Sequence, residues 1–239
     1  MIVLAIDTAT RTAGLALYDG QSVLAELTWR AGQSHTTTLV PNLIHLLDQQ
    51  ELTLAHLRGL AVALGPGSFT GLRIGLAVAK GLALARDLPL VGVPTLDIVA
   101  HSCASLSLAQ NPLPLCALLE AGRGRFCVAN YYWAEGGFHQ EGNYRIVGED
   151  KVGVGIEEPT LFCGELDAGV EQALRARLRD RAVVAPPAAR LRRPGYLAQL
   201  GWERLARGER DDPAALSPIY LHYPPREGGT CSTADRTSW

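Results

Sequence analysis

Apolar residues in this chain gather into short unbroken runs of strand length, separated by polar or glycine-rich turns. Residues 2–6, 13–18, 23–28, 60–64 and 88–93 form one set of such runs, and 115–119, 126–133, 144–147, 160–163 and 182–185 form a second. Other stretches carry a helical period. Residues 34–50 place Leu39, Leu43, Leu46 and Leu47 on one face, with Pro41 inside, which predicts a kink or a late helix start. A short helix is expected over 52–57, and a longer one over 95–107 with Thr95 as its cap. Residues 165–179 are amphipathic and rich in Arg and Glu, which predicts a solvated outer helix. Pro194 opens a helix over 195–207, with Tyr196, Leu200 and Leu205 predicted inward. Residues 216–223 are apolar enough to dock back on the body. The first half therefore reads βββαβαβα, an α/β pattern in which the later strands are parallel through right-handed crossovers. Asp19-Gly20 marks the hairpin between its second and third strands.

The stretch from Leu60 to Asp87 organises the rest. A buried strand meets Gly65-Pro66-Gly67, which turns the chain sharply, and Ser68 or Thr70 then caps a helix free of proline until Pro89. Gly71, Gly75, Ala79 and Ala83 recur every four residues and share one side of that helix. Each interior glycine costs about 1 kcal/mol relative to alanine, so the stripe needs a close neighbour to explain it. Two readings remain open: tight packing on the chain's own sheet, or a helix seam with a second chain. Ala77, Gly81 and Ala85 form a second small-residue stripe, so both readings can hold on different faces.

The second half repeats the first in outline. Residues 111–114 (Asn-Pro-Leu-Pro) read as a hinge. Beyond them a strand ends in Glu120, as the first strand ends in Asp7, and a tight turn at Gly122-Arg123-Gly124 leads to the next strand. Two lobes that each open strand, acid, turn, strand predict an internal duplication. The expected domains are 1–110, 111–223, and a tail over 224–239 whose composition predicts disorder.

Composition narrows the chemistry. The 239 residues are 47% hydrophobic with a formal net charge of −2, enough for a sizeable core and without the basic field that autonomous nucleic-acid binding needs. The five cysteines form no C-x-x-C pair, which predicts a reduced, cytoplasmic setting; no signal peptide or membrane span is expected. No two histidines lie four apart, so a helical His-x-x-x-His metal pair is excluded, and no metal site is expected. The glycine loop lacks the Gly-Lys-Ser/Thr of a P-loop, fails the G-x-G-x-x-G spacing, and carries Pro66 where a nucleophile elbow needs glycine. Asp7, Thr8 and Thr10 at the end of the first strand, with Glu120 and Arg123 in the second half, remain as a possible nucleotide or phosphate cleft. In it the acids would order metal or water; ordinary Asp and Thr turn chemistry explains the first three equally.

The stretches LAIDTAT, GPGSFTGLRIGLAVAKGLAL, LPLVGVPTLD and PIYL together resemble the TsaB (YeaZ) family, over residues 1 to about 223. The resemblance implies a two-lobed actin/Hsp70/sugar-kinase-like fold with duplicated ribonuclease-H-like lobes. It implies a subunit, not catalytic alone, required for threonylcarbamoyl transfer to the adenosine beside the anticodon. Its partners would be the catalytic subunit TsaD and the ATPase TsaE, with a homodimer in isolation and tRNA met only through the complex. No cofactor is expected to bind tightly, and weak ATP or ADP contact would come through the complex. The pairing surface implied is that of the first-lobe helices: Leu39, Leu43, Phe69, Gly71, Leu72, Arg73, Gly75, Leu76 and Ala79. On that reading Gly75→Leu would break pairing and leave the monomer folded. The family's Asp-Ala-Arg turn reads Glu120-Ala121-Gly122-Arg123 here, with the arginine displaced. The competing readings are an autonomous ATP-binding enzyme of the same fold, using Asp7 and Glu120, and a peptidase, for which no motif speaks.

Overall fold

The computed structural model describes residues 1–107 and 112–221. The expected tail over 224–239, with Cys231, lies outside the described residues, as do Asn111 of the expected hinge and residues 222–223 of the docking segment.

Two five-stranded sheets carry the fold. The first is built from β1 (Ile2–Asp7), β2 (Thr12–Tyr18) and β3 (Val23–Arg30), then α1 (His35–Asp48), β4 (Leu57–Gly65), α2 (Phe69–Arg86) and β5 (Leu90–Pro94). Its order is β3-β2-β1-β4-β5, with antiparallel pairing among the first three strands and parallel pairing from β1 through β4 to β5. Helix α3 (Thr95–Ser102) and the single turn α4 (Ala104–Ser107) follow. The second sheet comprises β6 (Leu115–Gly122), β7 (Arg125–Ala134), β8 (Gly137–Gly148) and β9 (Thr160–Gly164), then α5 (Ala168–Leu178) and β10 (Ala182–Val184). Its order, β10-β9-β6-β7-β8, repeats the first sheet strand for strand, with the same parallel and antiparallel pairs. The duplication is thus present in the topology. Helix α6 (Pro194–Ala206) closes the set.

Helices do not follow the division at residue 110. On one face of the first sheet, α1 and α2 bury Leu39, Leu43, Leu46, Leu47, Leu76 and Ala79 against Leu4, Ile6, Leu15 and Leu60. The other face is covered by α6 from the far end of the chain, through Leu197, Ala198 and Leu205 against Val3, Ala5, Ala61 and Val91. Conversely, Leu96 and Val99 of α3, with Cys103 just after it, pack on Leu115, Ala117 and Leu119 of the second sheet, whose other face takes α5. The carboxylate of Asp97 fixes α3 there by accepting from the Tyr131 hydroxyl at 2.6 Å and the Tyr144 hydroxyl at 3.0 Å. The expected cut therefore separates the two sheets but not the packed units: residues 194–206 belong to the first lobe. The exchange matters for the site, because the link from β10 to α6 must cross between lobes.

Several local expectations change. Helix α1 runs through Pro41 and starts at His35, so the late start does not occur; the Thr37 and Thr38 hydroxyls donate to the Ser34 carbonyl and tie down the first turn. Strand β8 is three times longer than the apolar run over 144–147, because its first half is a polar, half-exposed edge paired with β7. Asp167 caps α5, accepting from Val170 N at 2.9 Å, so that helix starts three residues late. Pro194, Gly195, Leu197, Ala198, Gly201 and Leu205 are the buried residues of α6, with Tyr196 and Leu200 half-buried beside them. Thr95 does not cap α3; its hydroxyl accepts from Gly65 N at 3.0 Å.

After α6 the chain straps back over the first lobe. Asp211 N donates to the Leu90 carbonyl and Ile219 N to the Leu64 carbonyl, both at 2.8 Å, and Leu216 joins the core under α1 and α2. Cys103, Cys116, Cys127 and Cys163 are buried free thiols, and burial pushes Cys116 up to about 12. No helix among the described residues is long and apolar enough to cross a membrane.

Candidate functional site

The end of β1 and the start of α2 meet at the mouth of the first lobe. At the turn after β1, the Asp7 carboxylate accepts from Ala9 N at 2.9 Å, and the Thr8 hydroxyl donates to the Gly71 carbonyl at 2.7 Å. Gly65, at φ +104°, lets β4 turn into the loop, and the Gly65-Pro66 peptide is cis. Ser68 N then donates to the Ala9 carbonyl at 2.6 Å, and Ser68 Oγ caps α2 by accepting from Gly71 N at 3.3 Å. The Gly65, Ser68 and Gly71 N–H groups of this loop are thus spent on its own chain.

The glycine stripe has the same explanation. A Cβ on Gly67 would stand 2.2 Å from the Ala9 carbonyl oxygen, one on Gly71 2.1 Å from that of Thr8, and one on Gly75 2.2 Å from Thr8 Oγ1. The close neighbour is the β1–β2 turn, inside the same lobe. Of the nine residues expected at a pairing surface, Leu39, Leu43, Gly71, Leu72, Gly75, Leu76 and Ala79 are buried in this lobe. Only Phe69, 53% exposed, and Arg73, whose guanidinium lies 3.8 Å over the Phe69 ring, face outward. Gly75→Leu is accordingly a lesion of the fold and does not report on pairing. The face turned outward is the second stripe, Ala77, Gly81 and Ala85, with Leu84 76% exposed beside it and Ile44 of α1 54% exposed.

The expected cleft is also divided. Asp7, Thr8 and Thr10 are buried, whereas Glu120 and Arg123 are exposed, Arg123 at φ +57° in the turn between β6 and β7. Glu120 lines a cavity of about 310 Å³ with Phe69, Tyr220 and Ile146; Asp7 does not reach it. What stands at Asp7 instead is Arg192, from the crossing between β10 and α6. Its Nε donates to Asp7 Oδ2 at 2.5 Å, and its Nη2 reaches Asp7 Oδ1 at 3.3 Å, Thr10 Oγ1 at 3.2 Å and the Thr12 carbonyl at 3.3 Å. On its other side Nη1 lies 3.7 Å from Glu165 Oε1, and Glu165 Oε2 accepts from Glu120 N at 3.0 Å. Burial alone would push the Arg192 guanidinium down; the charge and hydrogen bonding of Asp7, and the charge of Glu165, outweigh it and hold it charged. Neither Arg192 nor Glu165 had a signal in the sequence: each lies beside a turn, without a motif, and Arg192 meets Asp7 across 185 positions.

A metal-bound phosphate at Asp7 does not fit these residues. Both carboxylate oxygens are engaged, by Ala9 N and by Arg192, and the side chain is 2% exposed. The reading of Asp7 as a metal or water organiser would need Arg192 to give up the carboxylate that it holds in this structure. Among the described residues no group of three His, Cys, Asp or Glu could hold a metal ion.

His35, at the start of α1, is buried nearby, and its Nδ1 has no hydrogen-bond partner. Burial pushes its pKa down, against smaller upward pulls from the Thr10 carbonyl and the Asp7 charge. The unfolded chain therefore takes up this proton more readily than the folded one. The stability at stake is intact above about pH 6.5, the unfolded value, and is lost as pH falls through the window below it. His35→Gln should flatten the fall in unfolding midpoint between about pH 6.5 and 5; a slope identical to wild type in denaturant titrations across that range would show that His35 does not contribute.

The TsaD family, described as tRNA N6-adenosine threonylcarbamoyltransferase, matches residues 29–152. The tRNA threonylcarbamoyladenosine biosynthesis protein TsaB of Bacillus subtilis is 30% identical over 224 residues, covering 92% of this chain and 94% of that protein. A crystal structure from Pseudomonas aeruginosa, of a protein described as similar to peptidase YeaZ, superposes with a TM-score of 0.76 at 25% identity, covering 92% of this chain and 99% of that one. Component A of the Acidaminococcus fermentans (R)-2-hydroxyglutaryl-CoA dehydratase superposes at 0.51 with 10% identity, over 86% of this chain and 99% of that one, a likeness of fold alone. The fold is the two-lobed actin-like one.

Proposed function

The chain belongs to the TsaB family of tRNA threonylcarbamoyladenosine biosynthesis proteins, and from that premise we propose that it is the non-catalytic partner of TsaD in forming threonylcarbamoyladenosine in tRNA. It supports TsaD by docking, and the chemistry stays with TsaD. The observation that carries the docking reading is the outward face of the first-lobe helices. Val40 and Ile44 lie one turn apart on α1 and are exposed, and α2 presents Ala77, Gly81, Leu84 and Ala85 to solvent. A Cβ at Gly81 would meet nothing within 4 Å, so that stripe is open to the close approach of another backbone. A stable seam on it would bury roughly 1,200–2,000 Å² in total. In isolation the same face makes a homodimer. TsaE joins the assembly, tRNA is met only through the complex, any weak nucleotide contact arises there too, and the setting is the cytoplasm.

Co-purification with the cognate TsaD tests the pairing. Ile44→Glu combined with Leu84→Glu should weaken it at least 100-fold, roughly 2.7 kcal/mol, while the unfolding midpoint stays near wild type because both side chains are solvated. Mass spectrometry of tRNA from cells depleted of this chain should show loss of threonylcarbamoyladenosine, and the double variant should fail to restore it. Wild-type affinity in the variant would remove the α1–α2 face from the proposal; unchanged tRNA after depletion would remove the function.

A further inference from the structure

We infer that Arg192 is a resident cation: it stands between the lobes on the Asp7 carboxylate, where a metal ion would otherwise have to sit, and it latches the two lobes at one angle. Asp7 ends the central strand of the first sheet, and Glu165 follows β9 of the second. One guanidinium serves both, at 2.5 Å from Asp7 and 3.7 Å from Glu165, with Thr10 Oγ1 and the Thr12 carbonyl taking its remaining protons on the first-lobe side. Glu165 in turn accepts from Glu120 N, so the acid-bearing strand ends of both sheets are tied in a single chain of contacts. Arg192 sits on the segment that crosses from the second lobe to the first and leads directly into Pro194 of α6, whose packing on the first sheet fixes where the arginine can stand. Beside it lies a small interlobe pocket of about 60 Å³, with Thr12, Glu165 and Arg192 in its walls.

The planar fork explains why the residue is an arginine. It meets a carboxylate through two parallel N–H groups and keeps its charge in a buried site, which a lysine does less well. The pair is also nearly dry, with Arg192 and Asp7 side chains 5% and 2% exposed, so removing one partner leaves the other charge buried and uncompensated. A two-lobed protein whose cleft takes a metal nucleotide can use that ligand to set the lobe angle. Here the chain supplies the cation itself, and the angle does not depend on a ligand. This holds whether or not the chain pairs with TsaD.

Hydrogen exchange and ligand titration on the full chain test the inference. Wild type titrated with Mn²⁺ and ATP should show no manganese bound in an Asp7-dependent way by electron paramagnetic resonance. Arg192→Ala should lose on the order of 10 °C in Tm and exchange faster on both sides of the cleft, at residues 7–12 and at 164–166. About 10 mM methylguanidinium, a concentration far below that of denaturants, should recover part of that Tm in Arg192→Ala, and none in wild type or in Asp7→Asn with Arg192→Ala. If Arg192→Ala does not fold, Arg192→Lys keeps the charge without the fork and should exchange faster than wild type at both stretches. Unchanged exchange at 164–166 in the folded variant would reduce Arg192 to a first-lobe contact. Manganese binding by wild type that Asp7→Asn abolishes would overturn the inference whichever variant folds.

Discussion

Gly71→Ala is expected to destabilise the protein by more than about 3 kcal/mol, although alanine is the better helix former by about 1 kcal/mol. The added methyl would stand 2.1 Å from the Thr8 carbonyl oxygen, which is backbone and cannot rotate away. Relief requires either α2 to lift from the sheet or the β1–β2 turn to move. Each breaks the Ser68 N to Ala9 bond and the Thr8 to Gly71 bond, and each disturbs Asp7, one residue from Thr8. Gly81→Ala lies on the same helix and should do the opposite. Its methyl meets nothing within 4 Å, so only propensity acts, and a gain of about 0.5–1 kcal/mol is expected. Denaturant titrations followed by circular dichroism measure both. The signs decide between two structures: a stripe facing solvent or a partner would give stabilisation at both positions in the monomer, whereas a stripe packed on its own turn gives opposite signs.

That pair of glycines also marks how far the sequence is legible. The four-residue recurrence from Gly71 to Ala83 demands a close neighbour, but recurrence carries no information on whether the neighbour is in the same chain. Both stripes were visible, and which of them faces inward follows from three-dimensional placement of Thr8. Strands β1, β4 and β6 are legible because a strand buried on both faces is apolar throughout. The start of α2 at Ser68 is legible because capping is local. The first half of β8 is hidden because an edge strand with one solvated face carries polar residues that read as loop. The reciprocal placement of α3 and α6 is hidden because an amphipathic helix shows that it has an apolar face but not which sheet receives it. At the end of β1 the bonds of Asp7 to Ala9 N and of Thr10 to Thr12 N are ordinary turn chemistry and are legible, whereas the Thr8 hydroxyl reaches Gly71, 63 positions away, and is not. The counter-ion of Asp7 stands 185 positions away in the arginine-rich stretch before Pro194, where many arginines are solvated and pattern alone does not distinguish the buried one.

Asp7→Asn is the second large effect, a loss of about 3–5 kcal/mol. The amide keeps the shape of the carboxylate and can still accept from Ala9 N, so the turn itself need not change. What disappears is the charge that holds the Arg192 guanidinium ionised in a buried site; burial alone works against it, and Glu165, at 3.7 Å and one-third exposed, compensates only in part. An uncompensated buried cation is costlier than the pair is favourable, so removing both charges should do less harm than removing one. Asp7→Leu with Arg192→Met should therefore be more stable than Asp7→Leu alone, with a coupling of roughly 2 kcal/mol or more in the double-mutant cycle. A cycle that sums additively would mean that the two side chains do not depend on one another. The same variants separate structure from chemistry. If Asp7 organised metal or water for a reaction, Asp7→Asn would abolish activity while the fold kept its stability; if Asp7 serves only to hold Arg192, any loss of tRNA modification should track the loss of folded protein and be regained in the charge-free double variant.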